Sequence, residues 1–139
     1  MATAALYTPE VLGLATSLSD FPWSGGFSLQ GEARSKSCGS SLSLGLTTDD
    51  AGRISGIGLK SQACAIGQAA AAIFANAACG RTAAEIHGAS EAIERWLAGT
   101  GDMPDWPGLT AIAPARDYPG RHGAILLAWK AARDILPSC

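Results

Sequence analysis

Ser41-Leu42-Ser43-Leu44-Gly45-Leu46 alternates small residues with leucines, the period-two pattern of a half-buried strand. Thr48-Asp49-Asp50-Ala51-Gly52 supplies turn residues, and Ile54, Ile57 and Leu59 mark another strand beyond them. After Gln62 the apolar spacing lengthens. From Ala63-Cys64-Ala65 onward, Ile66, Ala69, Ala70, Ile73, Phe74 and Ala77 share one side of a helix that Gly80 is placed to close. Strands feeding an alanine-rich helix predict an α+β domain in which that helix packs closely on the sheet.

Upstream, Phe27, Leu29, Gly31 and Ala33 alternate with Ser28, Gln30, Glu32 and Arg34, which predicts a strand from Phe27. Three sequential strands with short turns make an antiparallel meander. Thr8-Pro9-Glu10 offers a capping hydroxyl, a proline at the first helical position and an acid in the first turn. A helix carrying Val11, Leu12, Leu14 and Leu18 is expected from there to about Ser19, before Pro22, Gly25 and Gly26 break regular structure.

Downstream, Thr82-Ala83-Ala84-Glu85 has capping-box spacing and begins a short helix, with another past Gly88 from Ser90 to Leu97. Residues 99–120, with Pro104, Pro107, Pro114 and Pro119, read mostly as loop. A last helix from about Arg121 to Leu136 presents Ile125, Leu126, Trp129 and Ile135 before Pro137. No repeat or linker divides the chain, so residues 1–139 are expected to form one domain, a three-stranded antiparallel sheet packed against four to five helices.

Composition narrows the function classes. Hydrophobic residues make up 47% of the 139, enough to build a core, and the net charge of −2 offers no basic field for nucleic acid. The first residues lack a cationic, apolar leader, and no run of about 18 apolar residues suggests a membrane span, so a cytoplasmic location is expected. Thiols stay reduced there, and Cys38, Cys64, Cys79 and Cys139 then read as free, metal-binding or reactive. Phosphate-binding glycine motifs and paired catalytic carboxylates are absent.

Cys38 lies in the turn entering the second strand and Cys64 immediately precedes a helix. A thiol at a helix N-terminus meets unpaired N–H groups, which favours metal binding or nucleophilic attack. Meander connections can bring Cys38 and Cys64 to one end of the sheet. Cys79 is fifteen residues beyond Cys64, about 22 Å along a straight helix, and is expected to pack at that helix's far end. Cys139 is the last residue.

In order and spacing the chain resembles the U-type iron–sulfur cluster scaffold family of IscU, SufU and the N-terminal domain of NifU. Ser37-Cys38-Gly39-Ser40 resembles its Cys-Gly-Asp turn, and Ala63-Cys64-Ala65-Ile66-Gly67-Gln68-Ala69-Ala70-Ala71 its Gly-Cys-Ala-Ile-Ser-x-Ala-Ser-Ala. Leu6-Tyr7 with Val11-Leu12 looks like its opening helix, and Gly80-Arg81-Thr82 like its Gly-Lys-Thr. Tyr118-Pro119-Gly120-Arg121-His122-Gly123-Ala124, continuing to Trp129-Lys130-Ala131, resembles the Pro-x-Arg-x-x-Cys-x-x-Leu-Ala-Trp-x-Ala of the SufU branch.

The resemblance implies a sheet-and-helix fold with ligand loops at one end, a role in cluster assembly and a cysteine desulfurase as partner. It also implies zinc or an iron–sulfur cluster as the bound species, held by three cysteines and an aspartate. Cys38 and Cys64 match two of these positions, whereas Ser40 stands for the aspartate and Ala124 for the third cysteine. Ser40 is a poor zinc ligand and Ala124 is none. His122, two residues before Ala124, offers a substitute that would make a Cys₂His site with an open position.

Two readings follow, and neither is an enzyme: a scaffold-like protein binding a metal or sulfur species at Cys38 and Cys64, or a partner-binding module that has lost cluster chemistry and binds no metal. A thiol enzyme with Cys64 as nucleophile and His122 as base lacks an orienting carboxylate in the sequence.

Overall fold

The computed structural model describes residues 6–36 and 39–136. Helix α1 (Pro9–Thr16) starts as its residues dictate, with Thr8 Oγ1 accepting from Val11 N at 3.1 Å, and runs into a 3₁₀ turn, Ser17–Asp20. Val11 is fully buried, while Leu12 points to solvent with 48% of its surface exposed. Strands β1 (Leu29–Arg34), β2 (Ser41–Thr48) and β3 (Ile54–Gln62) form an antiparallel sheet in the order β1-β2-β3. Helices α2 (Ala65–Ala78), α3 (Ala83–Ala98) and α4 (His122–Ile135) complete the α+β architecture.

Register sets the faces. Leu29, Leu46 and Ile57 form one inward row, Gly31, Leu44 and Leu59 the next, and Ala33, Leu42 and Ser61 the third. Helix α4 lies across β1 and β2, so close that a methyl on Gly31 would overlap the Ile135 side chain. The pairing shifts between Thr47 and Thr48, so that Thr47 opposes Gly56 and Thr48 opposes Ile54. That bulge explains why Ile54 is buried with Leu59 despite the odd spacing between them.

Two expectations are corrected here. Phe27 lies outside β1 and on the other side of the sheet from Leu29: its ring lies against Gly45 and Gly58, where a methyl on Gly45 would meet it at 2.5 Å. Without side chains there, β2 and β3 leave a slot that an aromatic ring fills. The segment 21–27 is held over this outer face by Leu59 N donating to Phe21 O at 2.9 Å and by the Gln30 amide donating to Gly25 O and Phe27 O at 2.8 and 2.9 Å. The residues expected as two helices around Gly88 form the single helix α3, because the Thr82–Glu85 capping box and Gly99 at φ +82 end it cleanly on both sides.

The loop 99–120 contains 3₁₀ turns at Leu109–Asp117 and Pro119–Arg121. It also delivers Trp106 to the core. The Trp106 indole N–H donates to Ile73 O at 2.8 Å, and its ring stacks on Phe74 and meets Trp129 edge-on. Arg81 lies 4.0 Å over the same ring. The link between α2 and α3 is pinned to the sheet by Gly80 N to Ile54 O and Ile54 N to Arg81 O. No helix among the described residues is long and apolar enough to cross a membrane.

Candidate thiol site

Three chain segments meet at the end of the sheet where β3 stops. Gln62, the last residue of β3, pairs with Ser41, and the chain then turns directly into α2 with Cys64 at its N-cap. Cys64 is partly exposed, no side chain caps α2, and its first turn holds no acid. Its first-turn N–H groups therefore face outward beside a thiol. Across the sheet, Ser35 N donates to Ser40 O at 2.8 Å and Gly39 N to Ser35 O at 3.0 Å, between the end of β1 and the start of β2. Gly39, at φ +69, takes the backbone conformation that only glycine enters freely. Ser40 precedes Ser41, whose partner Gln62 lies two residues before Cys64.

Helix α4 approaches from below with its first turn against the first turn of α2. A methyl built on Gly67 would stand 2.7 Å from Ala63 Cβ and 3.1 Å from Ala124 Cβ. Ala124 is 2% exposed and Ser40 5%. Ser40 and Ala124, which match the family's aspartate and third cysteine, are thus both absorbed into packed structure. Cys38 and its expected approach to Cys64 lie outside the described residues, as does Cys139.

His122 opens α4 about 200° around the helix from Ala124, which directs it toward the preceding 3₁₀ segment. Its Nε2 is 2.7 Å from Arg116 O. A carbonyl only accepts, so Nε2 carries the proton and Nδ1 is left as the ring's ligand atom. A backbone carbonyl fixing one nitrogen is the usual outer support of a metal-binding histidine. Arg121 donates to the Tyr7 hydroxyl at 3.2 Å and ties the entry of α1 to the start of α4. That contact was not foreseen, since its partners are 114 residues apart and no local pattern links them.

Cys79 is exposed at the C-cap of α2, contrary to the expectation that it packs there, while Arg81 Nε donates to Ala77 O at 2.7 Å in the last turn. Among the described residues no group of three or more His, Cys, Asp and Glu side chains is placed to hold a metal ion. A closed four-ligand site built from the family positions does not fit the buried hydroxyl of Ser40 and the methyl of Ala124.

The architecture is that of solved U-type iron–sulfur cluster scaffold structures. The N-terminal structure of a nitrogen-fixing NifU-like protein from Brucella abortus superposes with a TM-score of 0.87 at 28% identity, covering 97% of this chain and 94% of that one. A protein from Fervidobacterium islandicum AW-1, described as an iron–sulfur cluster assembly scaffold for the SUF system, shares the fold with a TM-score of 0.83 at 20% identity, covering 95% and 97%. No family model and no curated protein sequence matches the chain. The sequence resemblance to the U-type family therefore extends to the three-dimensional fold over nearly the whole chain.

Proposed function

We propose that this chain is a scaffold-like protein of iron–sulfur cluster assembly that binds a metal or sulfur species through Cys38 and Cys64, works in the cytoplasm and meets a cysteine desulfurase. It is not itself an enzyme. The observation that carries this reading is Cys64: a partly exposed thiol at the uncapped N-terminus of α2, whose first turn packs at Gly67 against Ala124. Zinc, iron or sulfide is cargo in this account. His122, the third donor suggested by the sequence, instead faces the preceding 3₁₀ segment, with Nε2 held by Arg116 O.

Anaerobic incubation with ferrous iron and sulfide tests it. Thiolate-to-iron absorption is expected in the native protein and should vanish in Cys38→Ser and in Cys64→Ser. Spectra without such absorption, with the fold intact, would contradict it.

A second reading has its own observation. The burial of Ala124 against Gly67, with Ser40 equally enclosed, shows both substituted positions serving packing. That favours a partner-binding module from which cluster chemistry has been lost. Identical thermal stability with and without zinc would support this alternative.

A further inference from the structure

The outer face of the sheet carries a trough. Between Ser41 and Gly45, central strand β2 presents only Ser41, Ser43 and Gly45 outward. The register sets these in three rows: Gln30, Gly45 and Gly58; Glu32, Ser43 and Lys60; Arg34, Ser41 and Gln62. At strand spacings of about 4.8 Å, the walls of each row stand about 10 Å apart. The Phe27 ring fills the glycine row, so the chain's own segment already occupies one end. The other two rows enclose an open depression of about 160 Å³ lined by Glu32, Arg34, Ser41, Ser43, Lys60 and Gln62.

Donors dominate this half. The hydroxyls of Ser41 and Ser43 form its floor, and Lys60, Arg34 and the Gln62 amide its walls, against the single carboxylate of Glu32. Glu32 stands 3.9 Å from Arg34, with both side chains more than half exposed, so it neutralises little of that charge. Among the described residues the side chains of Ser41, Ser43, Lys60 and Gln62 have no hydrogen-bond or ion-pair partner. Lys36, exposed just past β1, adds another positive charge on a chain whose net charge is −2. The larger depression between α3 and α4, about 380 Å³, selects no charge: Glu94 and Asp134 balance Lys130 and Arg133 there, and Arg133 already contacts Glu94.

We propose that the open half of the trough docks an acidic segment of a partner protein, laid along β2 with carboxylates over the Ser43 and Ser41 rows. The rows are two residues apart, about 6.8 Å, which is the spacing of alternate side chains in an extended peptide. Shallow walls leave a small anion largely hydrated, whereas a segment engages both rows at once. Gln62 lies two residues before Cys64, so a partner seated here flanks the thiol. The docking surface is independent of whether the thiols carry a metal.

Fluorescence anisotropy with labelled hexaglutamate, and hexaglutamine as the neutral counterpart, tests it. The native protein should bind hexaglutamate in a salt-sensitive manner and ignore hexaglutamine. Lys60→Glu, and Ser43→Phe to fill the floor, should each weaken binding about tenfold or more with an unchanged circular dichroism spectrum, whereas Lys130→Glu on α4 should not. Absence of binding, an equal loss in Lys130→Glu, or competition by free glutamate at the same concentration as the peptide would overturn the proposal.

Discussion

Gly67 and Ala124 pack the first turns of α2 and α4 together so tightly that a methyl on Gly67 would stand 3.1 Å from Ala124 Cβ. The contact places the third family ligand position next to the Cys64 helix end and fills it with hydrocarbon. Gly67→Ala should therefore destabilise the fold by about 1–3 kcal/mol through overpacking. Ala124→Gly should relieve part of that loss, with a coupling of about 0.5 kcal/mol or more in a double-mutant cycle read from denaturant midpoints.

If the pocket geometry survives beneath these substitutions, its ligand set is restorable. The double variant Ser40→Asp with Ala124→Cys should bind zinc about tenfold or more tightly than the native chain, measured by competition with a chelating dye. Equal affinity would show that the packing of α4 on α2 has closed the site.

Phe27 in its glycine slot gives a stability prediction remote from the thiols. A methyl on Gly58 would overlap that ring and stand 2.5 Å from Pro22 O, so Gly58→Ala should cost about 1–3 kcal/mol. Phe27→Ala should cost about 2 kcal/mol and expose the outer face of the sheet. Hydrogen exchange at Leu59 N, which bonds Phe21 O, should quicken in both variants.

At the head of α3, Glu85 accepts from Thr82 N at 3.1 Å and from the Thr82 hydroxyl at 3.2 Å, while Arg53 stands 3.8 Å away. The hydrogen bond from the Thr82 backbone, foremost, and that from its hydroxyl hold the Glu85 carboxyl below its ordinary value. A lowered folded value means that the stabilisation is present above the unfolded value and lost as pH falls through the folded one. Glu85→Ala should then be less stable than the native protein at neutral pH, and the difference should shrink in acid. A constant difference from pH 7 to pH 2.5 would show that the carboxylate charge is not the source.

The meander was readable because Leu42, Leu44 and Leu46 face one core, and local periodicity reports such one-sided burial directly. Helix α2 does not pack mainly on the sheet as its alanines suggested: Ala69 to Ala75 are buried in succession, and it lies chiefly against α1 and α4. Phe27 misled because alternation does not say where a strand begins, and its true partners, Gly45 and Gly58, are glycines whose signal is a missing side chain. Gly88 suggested a break that the capping box and the packing of Ile86 and Ile93 override. Trp106 carried no periodic signal, since a loop brings it to Ile73 and Phe74. At the site, Cys64 was legible from its place before a helix, but the Arg121–Tyr7 bond and the Gly67–Ala124 contact arise only when distant segments meet.

Zinc content of the freshly purified protein, measured by elemental mass spectrometry alongside Cys38→Ser and Cys64→Ser, tests the central claim most directly. About one equivalent per native chain, falling sharply in each variant, is the result this account predicts. Native protein without zinc, or variants that retain it fully, would contradict joint binding by Cys38 and Cys64.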